Sequence, residues 1–253
     1  MKSTKIEIDL PPVSVIVPTY NEEKWIEMTI SSVLESGFPC EVIAVDDGST
    51  DQTPQILKGF GERIKVITHP INRGKGAAVV SALQSASGEI VVFCDAHLLG
   101  LNQYHLLSLV LPLIYGSVRA VLGECVPEKI TLAHAFSPAM ILTGQRAYYK
   151  EDLLPLAEEM ENLGYGLETF LFNNFDRNKT ALVLLRGLKH LVKKDTSSPM
   201  AATFAYLREV KEILQTLVSV EGLMPIELAQ LKKTISLLQD KYTNFVERSG
   251  KDI

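Results

Sequence analysis

Asp95 and His97 stand one residue apart in the segment Phe93-Cys-Asp-Ala-His97. The stretch that leads into them, Glu89-Ile-Val-Val-Phe-Cys94, has the apolar, β-branched character of a buried strand. Alternate side chains on extended chain point the same way, so this carboxylate and imidazole can converge on one ion while Ala96 leaves space for a ligand. The pair suits Mn²⁺ or a similar borderline ion, with Mg²⁺ less favoured by nitrogen. An ion held there can neutralise a diphosphate as it departs. A lone Asp-x-His is more often structural; its place at the end of the fourth successive strand is what raises it.

Three earlier loops carry related chemistry. Val17-Pro-Thr-Tyr-Asn-Glu-Glu23 presents backbone carbonyls, an aromatic face and a carboxylate, groups that can read a nucleobase. Val45-Asp-Asp-Gly-Ser-Thr-Asp51 places adjacent carboxylates where one can accept from ribose hydroxyls or a base N–H, and Gly48 permits the turn. The same loop also reads as a turn followed by a helix cap, because Ser49, Thr50 and Asp51 all suit N-capping. Asn72-Arg-Gly-Lys-Gly-Ala-Ala78 opens a helix with glycines and a lysine, where free N–H groups and the helix dipole would meet an anion. It lacks the hydroxyl residue after the lysine that nucleotide hydrolases carry, and no GxGxxG follows the first strand, which demotes dinucleotide binding.

The elements that must position these loops alternate. Short β-branched runs at 13–17, 41–45, 64–68 and 89–94 enclose helix candidates near 24–35, 53–60 and 75–86, the pattern of a parallel sheet built from βαβ units. Near-continuous apolar strands imply helices on both faces, and ligands then bind beyond the carboxyl ends of the strands. Residues 100–195 are less regular, with Pro112, Pro127, Pro138 and Pro155 interrupting the helical pattern, which predicts a mixed sheet edge and loops that complete the site. After Ser197-Ser-Pro199 come two amphipathic helices, one with Leu207, Val210, Leu214 and Leu217, the other with Leu228, Leu231, Ile235, Leu238, Tyr242 and Phe245. This hairpin either packs on its own domain or pairs with another chain as a homodimer. The expected division is a domain over 1–198, with a donor half at about 11–100 and an acceptor half at about 101–198, then the hairpin over 199–253.

Composition sets the bounds. Hydrophobic residues at 46% and charged residues at 22% exclude a disordered or fibrous chain. With 25 basic against 30 acidic residues, the net charge of −5 argues against broad nucleic-acid binding. The first ten residues lack the apolar run of a secretory signal, and the longest apolar run, Leu106 to Tyr115, is about half a bilayer span. A cytoplasmic protein without a membrane span is expected. Cys40, Cys94 and Cys125, an odd number at wide spacing, read as buried reduced thiols.

Four segments, VSVIVPTYNEE at 13–23, VDDGSTDQT at 45–53, NRGKGAA at 72–78 and CDAH at 94–97, together resemble an inverting family-two glycosyltransferase of the GT-A fold, near the polyprenol-phosphate sugar synthases. Weaker similarity continues through Leu142-Thr-Gly-Gln-Arg-Ala147, Gly164-Tyr-Gly-Leu-Glu168 and the stretch ending Leu188-Lys-His190. The resemblance implies an α/β GT-A fold with a mostly parallel mixed sheet flanked by helices. It implies that Pro18, Tyr20, Glu22 and Asp46 hold the nucleoside, that Lys75, Asp95 and Ala96 lie at the donor, and that Asp95 and His97 occupy the family's Asp-x-Asp metal motif. His97 there replaces the second aspartate. His190 would match a late histidine that completes the metal site, or be a surface residue of the basic run Arg186 to Lys194. Glu168 would be the catalytic carboxylate, with helix N-terminal stabilisation as its alternative role. Arg146 would contact the acceptor or a phosphate, or form an ordinary surface salt bridge.

The leading reading is therefore transfer of a hexose from a UDP- or GDP-sugar, with inversion, onto a lipid-linked or other acceptor, dependent on Mn²⁺ or Mg²⁺. Arg186, Lys189, Lys193 and Lys194 could bring the protein to an anionic acceptor or the inner face of the membrane, though a solvated face is the default. A sugar nucleotidyltransferase is disfavoured, because Val17 to Glu23 holds neither glycine nor arginine. A non-catalytic sugar-nucleotide-binding or assembly protein is the alternative that His97 favours.

Overall fold

The computed structural model describes residues 10–128, 142–164 and 166–191. Four strands, β1 (Val13–Thr19), β2 (Glu41–Asp46), β3 (Lys65–Thr68) and β4 (Ile90–Phe93), alternate with α1 (Ile26–Glu35), α2 (Thr53–Gly59) and α3 (Lys75–Ser85), as the periodicity predicts. After them come β5 (Leu98–Leu99), α4 (Gln103–Tyr115), β6 (Ala120–Val126), β7 (Gln145–Tyr149), α5 (Lys150–Leu153), α6 (Ala157–Glu161), α7 (Leu167–Asn174), β8 (Thr180–Arg186) and β9 (Lys189–His190).

Seven of the strands form one sheet in the order β3-β2-β1-β4-β7-β6-β8. Strand β7 is antiparallel to both β4 and β6, while β8 runs parallel to β6, so β7 alone opposes the others. Its first residues thereby lie at the carboxyl end of β4. Alternation along the strands splits the core in two. Val15, Val17, Ala44 and Val92 pack with Ile26, Ile30 and Val33 of α1 and Leu106, Leu109 and Leu113 of α4. Ile16, Ile43, Val45, Val91 and Phe93 pack on the other face with Ala78, Val79, Ala82 and Leu83 of α3 and with Met160, Leu167 and Leu171. The outcome is the mostly parallel mixed sheet with helices on both faces.

Pro112 does not interrupt a helix as its residue type suggests; α4 runs through it and closes with Gly116 N–H on the Pro112 carbonyl. A proline in the last turn forfeits one backbone bond, to the carbonyl four residues earlier. The helix gains at its start, where the Asn102 side chain accepts from Tyr104 and His105 N–H while His105 Nδ1 accepts from Asn102 N–H. His105 thus has a structural role. Among the described residues no helix is long and apolar enough to cross a membrane. All three cysteines are unpaired thiols, and burial pushes Cys40 up to about 11 and Cys125 up to about 12, so neither is a ready nucleophile. The expected hairpin at 199–253, and any dimer through it, lies outside the described residues, as do Lys193 and Lys194.

Candidate functional site

The first three loops are stapled to one another by the polar residues that drew attention. Asn21, whose φ of 52° is left-handed, receives Thr50 N–H on its side chain at 2.8 Å and donates its own N–H to Ser49 Oγ at 2.9 Å. Glu22 N–H reaches Thr53 Oγ1 at 2.8 Å, Glu23 N–H donates to Asp51 Oδ2 at 3.1 Å, and Gln52 N–H donates to Glu23 Oε2 at 3.0 Å across the gap. Asp46 is buried, with Oδ1 accepting Ser49 N–H at 3.0 Å, while Pro18 is half-buried and Tyr20 is 42% exposed at the open end.

Asp47 is the carboxylate that organises the third loop. It accepts Arg73 N–H at 3.0 Å, Gly74 N–H at 2.7 Å and His69 Nδ1 at 2.6 Å. His69 Nε2 in turn lies 2.9 Å from Ser81 Oγ. The connectivity is that of a nucleophilic triad, but Ser81 sits inside α3 and Asp47 is committed to two backbone donors, so the trio is a brace. It also corrects one expectation: Gly76 N–H is held by the Leu163 carbonyl at 2.8 Å, so with Arg73 and Gly74 already bonded these N–H groups do not wait for an anion. What the helix start does offer is Lys75, whose ammonium lies 2.9 Å from Asp95 Oδ1 and 2.6 Å from Glu168 Oε1.

Asp95 is the centre of the constellation. Its Oδ1 takes Lys75; its Oδ2 takes Gln145 Nε2 at 2.8 Å and His190 Nε2 at 3.1 Å. The short antiparallel pair β5–β9 sets Leu98 opposite His190, and Leu191 N–H bonds the His97 carbonyl at 2.9 Å, so the late histidine reaches the strand-end loop. The His97 and His190 rings meet edge to face with centroids 4.3 Å apart. Glu22 Oε1 stands 3.3 Å from His97 Nδ1 outside hydrogen-bond geometry, which leaves that buried ring nitrogen without a hydrogen-bond partner. Burial would raise the Asp95 carboxyl, but Lys75 and then His190 outweigh it and hold it well below the usual range. Burial would likewise lower Lys75; Asp95 and then Glu168 raise it above an ordinary lysine.

Arg146, Ala96 and Glu22, three of the expected site residues, are all buried. Arg146 is 1% exposed and its donors turn inward: Nε donates to the Thr143 carbonyl at 2.7 Å and Nη1 to the Glu168 carbonyl at 2.9 Å and Tyr148 Oη at 3.2 Å. It braces the turn that carries Glu168 from beneath. Strand alternation was the missed signal, since adjacent residues of β7 face opposite ways and it is Gln145 that meets Asp95. Arg146→Met is therefore expected to lower stability in urea unfolding by about 2–4 kcal/mol, two buried carbonyls losing their donor. Unchanged stability with a raised acceptor KM would restore the acceptor contact. Ala96, 3% exposed, packs in the core, and its carbonyl accepts from Thr29 Oγ1 at 2.9 Å. Glu22, 7% exposed, brings Oε1 within 3.3 Å of His97 Nδ1.

Asp95 and His190 are spaced as neighbouring ligands of a divalent ion, with the His97 ring against that of His190. Neighbouring ligands of an octahedral ion with bonds of ~2.1 Å stand about 3 Å apart, and Asp95 Oδ2 and His190 Nε2 are 3.1 Å apart. Among the described residues no group of three or more His, Cys, Asp or Glu side chains is placed to hold a metal ion by itself. An ion on a diphosphate takes the remainder of its shell from phosphate oxygens and water.

Glucosyl-3-phosphoglycerate synthase from Mycobacterium tuberculosis, solved in complex with Mn²⁺, UDP and glucosyl-3-phosphoglycerate, shares this architecture with a TM-score of 0.62 and 28% identity, over 83% of this chain and 79% of that one. The fold with its strand-end site is thus a GT-A glycosyltransferase domain. The model of glycosyl transferase family 2 matches residues 14–153, and the chain belongs to that family. Curated relatives include dolichyl-phosphate beta-glucosyltransferase of Homo sapiens, 38% identical over 97 residues, which are 33% of this chain and 30% of that protein. The putative teichuronic acid biosynthesis glycosyltransferase TuaG of Bacillus subtilis is 44% identical over 90 residues, 34% of this chain and 36% of that protein. The matched stretch spans about a third of the length of these curated relatives.

Proposed function

We propose that the protein transfers a hexose from a UDP- or GDP-sugar to an acceptor, with inversion at the anomeric carbon. The observation that carries this reading is the convergence of Asp95, His97, His190, Lys75 and Glu168 at the carboxyl end of β4 in a family 2 chain. The nucleoside would lie across the first two loops, against Pro18 and Tyr20 with Asp46 below. A divalent ion held by Asp95, His97 and His190 would supply countercharge to the departing diphosphate. Lys75 is the cation nearest that position on the chain itself, and its ties to Asp95 and Glu168 hold it there before any donor arrives.

In the transfer step the acceptor oxygen forms a bond to the anomeric carbon as the bond from that carbon to the diphosphate oxygen breaks. Glu168, on the first turn of α7, takes the acceptor's proton. A phosphate acceptor arrives already ionised, and Glu168 would then position it. The named relatives support a glucosyl donor and acceptors that include dolichyl phosphate, the lipid-linked case. Residues 101–198 would supply the acceptor side of the domain.

The test is sugar transfer or hydrolysis of UDP- and GDP-hexoses with added Mn²⁺ or Mg²⁺. Metal-dependent turnover is expected, and full activity in a chelator overturns the metal assignment. Binding by calorimetry without turnover against any acceptor would support the non-catalytic binding protein that His97, in place of an aspartate, favours.

A further inference from the structure

Gln145 is 2% exposed at the first position of β7, and neither composition nor motif spacing singles it out. An ionised carboxylate only accepts hydrogen bonds, so the 2.8 Å contact to Asp95 Oδ2 fixes which end of the Gln145 amide faces it. The other end, Oε1, lies 3.1 Å from Thr143 Oγ1 and 3.7 Å from Cys125 Sγ. A flipped amide would set oxygen against carboxylate. Lys75 meanwhile holds Oδ1. With Lys75 on Oδ1 and Gln145 on Oδ2, the carboxylate plane is set so that Oδ2 also meets His190.

Gly144 acts on the same carboxylate by a different means. A Cβ built at this glycine would overlap both oxygens and the carboxyl carbon of Asp95. The backbone of residue 144 is therefore the wall against which the carboxylate lies. That wall is stiff: Gln145 and Arg146 pair with Gly123 and Leu122 of β6, Arg146 also pairs with Phe93 of β4, and Arg146 Nε ties down the Thr143 carbonyl. A contact and a space, in the first residue of β7 and the glycine before it, converge on one side chain.

We infer that Gly144 and Gln145 are positioning residues that orient Asp95 toward a divalent ion, Gln145 by its amide and Gly144 by its missing side chain. The inference rests on the reading of Asp95 as part of an ion site. Outer partners of this kind typically change metal affinity 10–100-fold when removed.

The experiment titrates Mn²⁺ into the full chain in the presence of UDP and, separately, GDP, following loss of the free-ion electron paramagnetic resonance signal, with melting temperature as the fold control. Gln145→Met keeps the size and removes the donor; it is expected to weaken Mn²⁺ binding by about tenfold with a melting temperature near that of the parent. Gly144→Ala leaves Gln145 intact and is expected to lose at least as much, so it answers the question even if Gln145→Met does not fold. If the parent chain binds Mn²⁺, Asp95→Ala does not, and both other variants match the parent within about twofold, this inference falls while the site reading stands. If the parent binds no Mn²⁺ with either nucleotide, both fall.

Discussion

Asp95→Ala is expected to reduce metal-dependent transfer by about 10²–10³-fold in kcat/KM, the scale seen when one preorganised electrostatic group is removed from a reacting site. The side chain is the shared acceptor of Lys75, Gln145 and His190, so its loss breaks three contacts at once. Lys75 retains Glu168 as a partner, which spares the fold the penalty of an isolated buried ammonium. His190 loses the contact that aims its ring at the strand-end loop. The loss should persist at saturating Mn²⁺, because raising the ion concentration does not restore the geometry. Asp95→Asn keeps the shape and removes the charge, and should fall between parent and alanine. Transfer by Asp95→Ala within about threefold of the parent would remove Asp95 from the machinery.

Glu168→Gln separates two chemistries. With an alcohol acceptor, kcat should fall by about 10²–10⁴-fold, the range for loss of a general base. With a phosphate acceptor, which brings no proton to remove, kcat should stay near that of the parent and any loss should appear in KM. The substitution leaves Lys75 paired with Asp95 at 2.9 Å, so the melting temperature serves as a control rather than a second variable. The contact at 2.6 Å between Lys75 and Glu168 gives this experiment its edge: it fixes where the Glu168 side chain stands, so the amide of the variant takes the same place without the oxygen that would receive the proton. An alcohol acceptor used equally well by both forms would assign Glu168 to support of α7.

Much of the scaffold was legible in local pattern. The four β-branched runs became β1 to β4 within a residue or two, because burial on both faces demands continuous apolar strands and leaves that mark in the sequence. The apolar spacing Ile26, Ile30 and Val33 likewise declared the buried face of α1. Asp95, His97, Lys75, Glu168 and His190 were all named from residue type and resemblance, and the structure brings them to one place.

The misplacements share a cause. Arg146 and Gln145 are adjacent, and only the pairing of β7 between β4 and β6, strands distant from it in the chain, decides which of them faces Asp95. The N–H groups at the start of α3 looked free because nothing nearby in the chain hints that Asp47 and Leu163 will claim them. Pro112 looked like a break because the hydrogen bonding of a last turn is invisible in composition. Residue types and their local spacing determined, by themselves, the kind of sheet, the loops at its working edge and the charges available there. Which carboxylate receives the lysine, which glutamine holds it in plane and which arginine lies buried were decided by tertiary structure alone, because strand direction and register, set by distant partners, determine the face on which each side chain emerges.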